Sequence, residues 1–296
     1  MAVVHALFGW KQSNFSTYEE TYYKYGGSIN THPDLVRFFL SQQKINFRFW
    51  HCMRDGKIVA AYFDTENKHL GLDVWRDYPI SCDEIMIPVD PNAKILLPIR
   101  TNKISSHNRE NIHNASFWLR KNRQVCYVRE GFSVKTTKKR NGELKKFFAE
   151  GGESIALNQM SPREIAEIYV KLFKLRFGDG IRCYSKENIE TLFNAVPESV
   201  FGNALFFKGN PCALDLVLCG RNDKFLYFDV PNGGVDPAVK GFSPGSLVLW
   251  KNILDARALC QSENRKMLFS IGLYKTYWNY KLLWSEALPT GKSFSL

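Results

Sequence analysis

The chain has 296 residues, of which 45% are hydrophobic and 14% aromatic, and its formal net charge is +11. A chain of this length predicts two domains that each bury a core, and the aromatic content argues against intrinsic disorder. No segment approaches the roughly 18 uncharged apolar residues of a membrane-spanning helix, and the start of the chain lacks the basic region of a secretory signal. We therefore expect a cytoplasmic protein.

The cysteines and histidines predict neither disulfides nor a metal site. Seven cysteines are an odd number, and none forms a Cys-x-x-Cys pair, which indicates reduced thiols. All six histidines lie at or before His113, and none is spaced as a ligand pair. Any general base in the second half is therefore expected to be a carboxylate, tyrosine, cysteine or water.

The first half predicts a helix, a hairpin and short strands. A helix is expected over 33–43, with Thr31 as its cap and His32 as a loop or capping residue. Strand-like runs at 47–53 and 57–63, joined by Arg54-Asp55-Gly56, predict a β-hairpin. The other expected elements are strands or strand ends at 85–89 and 95–99, a weakly patterned helix over 105–120, and a strand over 124–128.

Much of the positive charge lies at the junction of the two halves. Between Arg120 and Lys146 there are ten basic residues against Glu130 and Glu143, a net charge of +8. An anionic membrane surface, the phosphates of a nucleotide cofactor and tRNA would each satisfy this charge, and a solvated helix face is the equally open alternative. No nucleic-acid-binding motif accompanies the run, so sequence-specific DNA binding is not expected.

The second half repeats the element order of the first. Ser161 and Glu164 predict a capping box, and Ser185 is expected to cap a helix over 185–196. A second hairpin is expected over 204–208 and 212–219, joined by Gly209-Asn210-Pro211. The repetition indicates an internal duplication.

Two aspartates interrupt apolar runs in this half. Asp215 lies within the run 213–218, and Asp229 follows Tyr227 on the same side of a strand expected over 225–230, ahead of a loop over 231–234. An unpaired buried carboxylate costs on the order of several kcal/mol, so each must find a partner or face a cleft. Asp215 and Asp229 are therefore candidate acid or base groups, and anchoring of neighbouring loops is the structural alternative.

The next motif is a helix start made of small residues, Ser243-Pro244-Gly245-Ser246. Serine is a good cap and proline suits the first helical position. Because the first-turn amides lack partners within the helix and Gly245 adds no side chain, a phosphate can approach the backbone. The motif predicts either a diphosphate cradle or an ordinary capped helix.

After this helix, the run 267–271 predicts a buried strand that ends at Gly272, followed by Tyr274-Lys275-Thr276-Tyr277-Trp278. In order and spacing, the Ser-Pro-Gly helix start, the strand ending in glycine and the Tyr-Lys-x-x-Trp-like element resemble the tandem GNAT-like acyltransferases of the Fem and CelD types. The whole chain is most similar to the macrophage-inducible (Mig-type) antimicrobial-peptide-resistance proteins of bacteria. This resemblance implies an α/β (α+β) fold with two tandem GNAT-like domains, 1–134 and 135–296, each a mixed, mostly antiparallel sheet flanked by helices.

The resemblance also implies a place for the acyl donor. In the family, the strands beside the cofactor splay apart, which here means 225–230 and 267–271, with the pantetheine between them. The diphosphate would contact Ser243, Gly245 and Ser246, and Tyr274 and Lys275 are assigned to the same donor site. The first domain lacks a glycine at the matching helix start, so the donor site is expected in the second domain only.

The implied chemistry is transfer of an acyl or aminoacyl group to an amine or hydroxyl of a cell-envelope or small-molecule acceptor. Tyr274 is assigned as the acid that protonates the leaving thiolate, and Asp229 as the base. The family's Arg/Gln-x-x-Gly-x-Gly/Ala phosphate motif is missing, so acyl-CoA and aminoacyl-tRNA both stay open as donors. The rival hypothesis is a non-catalytic envelope or regulatory factor, held on the inner membrane by the basic run. Under either hypothesis the resemblance implies a role in resistance to cationic antimicrobial peptides.

Overall fold

The computed structural model describes residues 2–66, 69–119 and 123–294. We call 2–119 the N-terminal half and 123–294 the C-terminal half. Before residue 134 the elements are helices α1 (Ala2–Leu7), α2 (Phe15–Tyr25) and α3 (Pro33–Ser41) and strands β1 (Trp10–Ser13), β2 (Phe47–Arg54), β3 (Lys57–Thr65), β4 (Ala115–Ser116) and β5 (Gln124–Val128). Short 3-10 helices cover Ile29–Thr31 and Ser106–Asn108.

From residue 134 onward, helices and strands alternate more regularly. The helices are α4 (Val134–Ala149), α5 (Pro162–Phe177), α6 (Lys186–Ala195) and α7 (Pro244–Ser262). The strands are β6 (Gly152–Ala156), β7 (Val200–Phe201), β8 (Asn203–Phe207), β9 (Asn210–Arg221), β10 (Phe225–Val235), β11 (Lys266–Leu273), β12 (Ser285–Pro289) and β13 (Lys292–Ser293). A 3-10 segment, Thr276–Leu283, joins β11 to β12.

Polar residues set the starts of three helices. His32 caps α3, because its Nδ1 accepts a hydrogen bond from Asp34 N at 3.2 Å. The expectation that Thr31 caps this helix is wrong, since its hydroxyl donates to backbone carbonyls of neighbouring loops. The predicted capping box at Ser161 and the predicted cap at Ser185 are both confirmed.

The N-terminal half contains a three-stranded antiparallel sheet of β1, β2 and β3. The hairpin of β2 and β3 is confirmed. Asp55 and Gly56 turn between the strands with positive φ angles of 47° and 73°. Two consecutive left-handed residues match the twist of the flanking strands, which is why Asp-Gly is so favourable there.

The chain from 69 to 119 is less regular than the sequence pattern predicts. The runs 85–89 and 95–99 form isolated bridges, and no α-helix covers the described residues 105–119; residue 120 lies outside the described chain. Asparagine amides act as strand partners instead. Asn108 bonds both N and O of Ile87, and Asn114 bonds both N and O of Leu97, at 2.8–3.2 Å. These amides satisfy buried backbone groups without a continuous ladder.

The main sheet has eight strands in the order β12-β5-β11-β10-β9-β8-β6, with β7 beside β9. Its neighbouring strands are antiparallel except for β10 and β11, which run parallel and are connected by α7. A crossover helix is the usual way to join parallel neighbours. The predicted class, a mixed and mostly antiparallel sheet flanked by helices, is confirmed. The strand β5 lies between β11 and β12, although it precedes residue 134 in the chain.

The strand β10 is longer than the sequence pattern predicts. The loop expected over 231–234 is wrong, because β10 continues to Val235 across a bulge between Asp229 and Asn232. Gly233 makes this continuation sterically possible: a β-carbon there would come within 2.4 Å of Asp215 Oδ1 on β9. A glycine inside a strand often marks such a close approach.

The main sheet has two faces with different packing. The inter-half face carries Tyr127, Tyr227 and Asp229, and it packs against α2, α3, α5 and α6 in a core that is continuous between the two halves. The α7 face carries Asp215 and Phe269 and packs against α4 and α7. Within the described ranges, no helix is both long and apolar enough to cross a membrane.

Candidate functional site

The two parallel strands separate at one point. Pairing between β10 and β11 runs from Phe225 and Lys266 to Asp229 and Ser270, and the register contains no later pair. Beyond this point, β10 continues along β9, and β11 continues along β5. The separation therefore lies at the far end of the two segments that were expected to splay.

Two charged side chains hold the end of β11 at this separation. Lys281 Nζ donates hydrogen bonds to Ile271 O at 2.6 Å and to Leu273 O at 2.8 Å. Asp83 Oδ2 accepts a hydrogen bond from Leu273 N at 3.0 Å. Gly272 has a φ of 77°, which permits the sharp bend between these contacts. Burial lowers the pKa of Lys281.

The start of α7 offers hydrogen-bond donors to an anion. The amides of Ser246 and of the next residue donate to Ser243 O, and Pro244 has no N–H. Ser243 precedes the helix as predicted, but its hydroxyl contacts Ser246 Oγ at 3.1 Å rather than a backbone amide. Gly245 packs closely on β10, since a β-carbon would meet Val235 Cγ1 at 3.2 Å. The donors left at the helix start are the Gly245 amide and the Ser246 hydroxyl, because the Ser243 hydroxyl donates to Ser246 Oγ.

The basic junction forms α4, which lies beside the start of α7. Asn141 of α4 accepts a hydrogen bond from Trp250 Nε1 of α7 at 2.9 Å. Lys146 Nζ lies 5.7 Å from the ring centre of Phe242, the residue directly before Ser243. Residues 120–122 of the basic run lie outside the described chain. The described part of the run thus brings positive charge next to the candidate phosphate site.

Asp229 meets a second carboxyl group, Glu84, at a cavity of about 10 Å³ between the two halves. Glu84 is buried, and its Oε1 accepts hydrogen bonds from the hydroxyls of Tyr127 and Tyr227, the latter at 2.7 Å. Asp229 is only 3% exposed, and its Oδ2 has no hydrogen-bond partner in the described chain. The cavity therefore joins a well-bonded carboxyl group to a poorly bonded one.

Burial raises the pKa of both carboxyl groups. The pKa of Glu84 is raised to about 7, chiefly by burial and further by Asp229, against the hydrogen bond from Tyr227. The pKa of Asp229 is also raised to about 7, again chiefly by burial and further by Asp83, against hydrogen bonding to Ser81. Both groups exchange protons near neutrality, which is the range that suits a general acid or base.

Asp215 lies on the α7 face, so the structure does not bring it together with Asp229. Its Oδ2 accepts a hydrogen bond from Asn252 Nδ2 of α7 at 3.3 Å. Burial raises its pKa to about 7, against the nearby charge of Arg176 and the bond from Asn252. The bond from Asn252 ties β9 to α7.

Tyr274 and Lys275 follow β11. Tyr274 is half-buried and packs with the core of the α7 face, and its hydroxyl donates to Asn279 Oδ1. Lys275 is exposed. The structure thus places Tyr274 and the start of α7 on one face of the main sheet and Asp229 on the other.

Reasoning from the sequence missed Glu84, Tyr127 and Lys281. A usable signal exists for Glu84, because it ends the acidic pair before the buried run 85–89, where an unpaired charge is costly. Nothing in the local pattern marks the other two. As for metals, no group of three or more His, Cys, Asp or Glu residues in 2–66, 69–119 and 123–294 is placed to hold an ion.

Comparison with solved structures shows which known proteins have a similar fold. FemX matches with a TM-score of 0.63 at 9% sequence identity, over 97% of both chains. A GNAT-family acetyltransferase from Colwellia psychrerythraea matches with a TM-score of 0.45 at 8% sequence identity, over 97% of this chain and 100% of that one. A tandem GNAT protein from the clavulanic acid biosynthesis pathway matches with a TM-score of 0.35 at 11% sequence identity, over 85% of this chain and 82% of that chain. The FemX superposition shows a shared fold and, at this identity, nothing further.

Comparison at the level of sequence gives the family. A search among curated proteins finds no match to this chain. The sequence model of the Mig-14 family matches residues 32–293, a span that includes the main sheet, Glu84 and the start of α7. Together with the FemX likeness, this confirms the resemblances to Fem-type and Mig-type proteins. The chain belongs to the Mig-14 family.

Proposed function

We propose that this chain is an acyltransferase whose donor is a phosphate-bearing thioester, with acyl-CoA as the first candidate. One observation carries the proposal: β10 and β11 separate between the start of α7 on one face and the Asp229 cavity on the other. A long donor fits this arrangement, with its phosphates at α7 and its reactive thioester at the separation. The acceptor is an amine or hydroxyl.

The donors at α7 suit a phosphate. The Gly245 amide and the hydroxyls of Ser243 and Ser246 lie at the positive end of the helix dipole, and Lys146 lies nearby. From Asp229 to Val235, β10 advances by six residue steps, about 20 Å at the usual rise of a strand. An extended pantetheine arm would bridge this length between phosphate and thioester.

The chemistry requires positioning and one proton transfer. The acceptor nitrogen or oxygen bonds to the thioester carbonyl carbon, the C–S bond breaks, and one proton passes from the acceptor to the sulfur. Asp229 is our first assignment for this transfer, because it is buried, lies at the strand separation and exchanges protons near neutrality. Tyr274, on the face that holds the phosphates, is the second assignment.

The basic helix α4 supports a second candidate donor, aminoacyl-tRNA, as resemblance to the Fem type implies. Its exposed lysines continue the positive surface away from the start of α7, and the phosphate backbone of RNA is attracted to such a surface. A role in resistance to cationic antimicrobial peptides, implied by resemblance to the Mig type, belongs to this proposal as its biological setting. A non-catalytic factor that keeps the fold is the alternative.

Calorimetric titration with acetyl-CoA and with desulfo-CoA tests the donor. We expect both ligands to bind the wild-type protein, because they carry the same phosphates and the phosphate contacts contribute most of the binding energy. Ser243→Asp should weaken both by at least about tenfold, since a carboxylate at the cap stabilises the helix but repels a phosphate. Ser185→Asp is the matched control, because it makes the same change at the cap of α6. Gly245 is less suitable, because any β-carbon there crowds Val235.

Absence of heat at millimolar CoA ligands would contradict acyl-CoA as the donor. Binding and aminoacyl transfer from charged tRNA, lost on neutralising the exposed lysines of α4, would then support the second candidate. If neither donor binds, the acyltransferase proposal fails and the non-catalytic alternative stands. Equal weakening by Ser243→Asp and Ser185→Asp would remove α7 from the site.

A further inference from the structure

We propose that Glu84 is a positioning residue: it carries the negative charge of a carboxyl pair that spans the two halves, and it thereby keeps a proton on Asp229. Glu84 belongs to the N-terminal half and Asp229 to the main sheet, and both line the same small cavity. The inference rests on the proposed function only for the use made of that proton in acyl transfer. The pairing itself rests on contacts in the structure.

Unequal hydrogen bonding decides which carboxyl group holds the charge. Two tyrosine hydroxyls, from Tyr127 and Tyr227, donate to Glu84 Oε1. Hydrogen bonds to an ionised acceptor are stronger than those to a neutral one, so the two donors favour an ionised Glu84. Asp229, in contrast, is hydrogen-bonded to Ser81 and Ser270, and its Oδ2 has no donor in the described chain. A phenol is a more acidic donor than a serine hydroxyl, so ionisation is favoured more at Glu84. The charge therefore belongs on Glu84.

The surroundings do not supply enough positive charge for both carboxylates. Neither Glu84 nor Asp229 forms an ion pair in the described structure. Two buried carboxylates beside one cavity repel each other when both are ionised, so the pair retains a proton near neutral pH. The arrangement of lowest free energy for the two carboxyl groups is therefore one retained proton and one negative charge.

The other titratable groups that face the pair are Asp83, Tyr184, Lys281, Arg123 and His107. The acidic Asp83 adds to the repulsion, and burial keeps Tyr184 protonated by raising its pKa. Lys281 Nζ is bonded to carbonyls of β11, and the charges of Asp83 and Asp229 also act on it. Arg123 donates to Asp83 O at 2.7 Å. His107, edge-on to Tyr127, has its pKa lowered to about 4 by burial and is neutral. None of these groups forms an ion pair with Glu84 or Asp229 in the described structure.

A proton held on Asp229 makes it the acid of the proposed reaction, whereas the sequence suggested a base. When the C–S bond of the thioester breaks, the Asp229 carboxyl group gives its proton to the sulfur. When the acceptor nitrogen or oxygen bonds to the carbonyl carbon, the proton that it releases returns to Asp229. The net change is one proton moved from acceptor to thiol, and Glu84 stays ionised throughout.

Carboxyl titration of the full chain by ¹³C NMR tests the pairing without any donor or acceptor. The Asp229 signal is identified by its loss in Asp229→Asn. Glu84→Gln removes the rival charge while leaving a group that can accept from both tyrosines. We expect the measured pKa of Asp229 to fall by at least about one unit, equal to a tenfold change in its proton affinity. The Asp215 signal, on the α7 face, is the internal control and should not move.

An unchanged Asp229 titration in a folded Glu84→Gln variant would overturn the proposal and leave Glu84 as a structural partner of the tyrosines. Tyr227→Phe provides a second measurement if Glu84→Gln does not fold. Loss of the Tyr227 hydroxyl, which donates to Glu84, should raise the measured pKa of Glu84 and lower that of Asp229. The reason is that negative charge shifts from Glu84 to Asp229. No change in either would also overturn the proposal. Failure of CoA binding would count against the proposed function and would leave these titrations intact.

Discussion

The two faces of the main sheet each carry an aspartate, of which Asp229 is almost fully buried and Asp215 is half-buried, and the two lie in different surroundings. Burial raises the pKa of both Asp215 and Asp229 to about 7. Asp215, on the α7 face, has a hydrogen-bond donor in Asn252 of α7, and the charge of Arg176 of α5 also lowers its pKa. On the inter-half face, Asp229 has an unbonded oxygen and acidic neighbours.

Similar proton affinities of the two aspartates therefore do not imply similar roles. Around Asp215, the protein compensates the cost of burying a carboxyl group with a polar partner from the facing helix. Around Asp229, part of that cost is left uncompensated beside a cavity. A protein tolerates such an unsatisfied group mainly where function requires it. The comparison therefore favours Asp229 over Asp215 as a reacting group.

The largest expected effect is on turnover. Asp229→Asn should reduce thiol release from acyl-CoA by at least about 100-fold, since it removes the proton-transferring group. Asp215→Asn should stay within a few-fold of wild type, because an asparagine can still accept from Asn252. Circular dichroism and melting curves of both variants control for folding. Equal losses of turnover in the two variants would break the comparison between the faces.

The second prediction is a stability that increases toward mild acid. The folded pKa values of Glu84 and Asp229 lie near 7, above their ordinary values, so the folded state binds protons that the unfolded state has released between about pH 4 and pH 7. The contribution of these two carboxyl groups to the free energy of unfolding is fully present below about pH 4 and is lost as the pH rises through 7. Each extra bound proton changes the free energy of unfolding by up to about 1.4 kcal/mol per pH unit.

Melting temperature measured from pH 5 to pH 8 checks this slope. The wild-type protein should melt higher at pH 5.5 than at pH 7.5, and the double variant Glu84→Gln and Asp229→Asn should show a flatter profile. Asp215→Asn is the control from the other face and should remove a comparable, independent part of the slope. A double variant that keeps the full wild-type slope would place the titrating groups elsewhere.

Local chemistry was enough to predict much of the fold. Asp55-Gly56 specifies its turn through φ alone, and Ser161 and Ser185 cap helices through contacts three residues away. The order of the main elements from α5 to β11 follows from such signals and from hydrophobic periodicity. The irregular segment 69–119 could not be predicted this way, because asparagine amides 17–21 positions along the chain replace its strand partners.

The candidate site was only partly predictable, because its pairings are distant in sequence. Asp229 stands out as a charge in an apolar run, and the start of α7 stands out through its small residues. Glu84 meets Tyr127 and Tyr227 across 43 and 143 positions, which no local pattern reveals. Likewise, the faces taken by Asp215 and Asp229 depend on the register of β9 with β10 and on its bulge.

A smaller effect is expected for Tyr274, which tests whether the α7 face takes part in proton transfer. Tyr274→Phe should lower turnover by roughly tenfold with little change in donor affinity, as expected for a contact that matters mainly in the transition state. Tyr277→Phe is the matched control, because that side chain is 72% exposed and lies three residues further along. Steady-state kinetics with calorimetry separates the two parameters. Equal turnover in both variants would reduce Tyr274 to packing and its bond with Asn279.

The smallest expected effect concerns α4, the basic helix on the α7 face. Its exposed lysines should draw the protein onto anionic membranes at about 1 kcal/mol per engaged residue. We expect sedimentation with anionic but not neutral liposomes, reversed near 1 M salt, where the Debye length falls to roughly 3 Å. Changing Lys135, Lys138 and Lys145 to Glu should weaken binding to the anionic liposomes. Arg140 is left intact, because its guanidinium lies 4.5 Å from the Trp284 ring centre and supports the core.

A matched triple variant separates local attraction from net charge. Lys44, Lys57 and Lys171 are exposed and lie away from α4, so changing them to Glu alters the total charge equally. If membrane attachment depends on α4, this control should sediment like the wild type, and the α4 variant should not. Equal loss in both variants would show that overall charge is responsible, and sedimentation with neutral vesicles would point to apolar contact instead. Either result would leave the α7 face as a donor-binding surface without a membrane role.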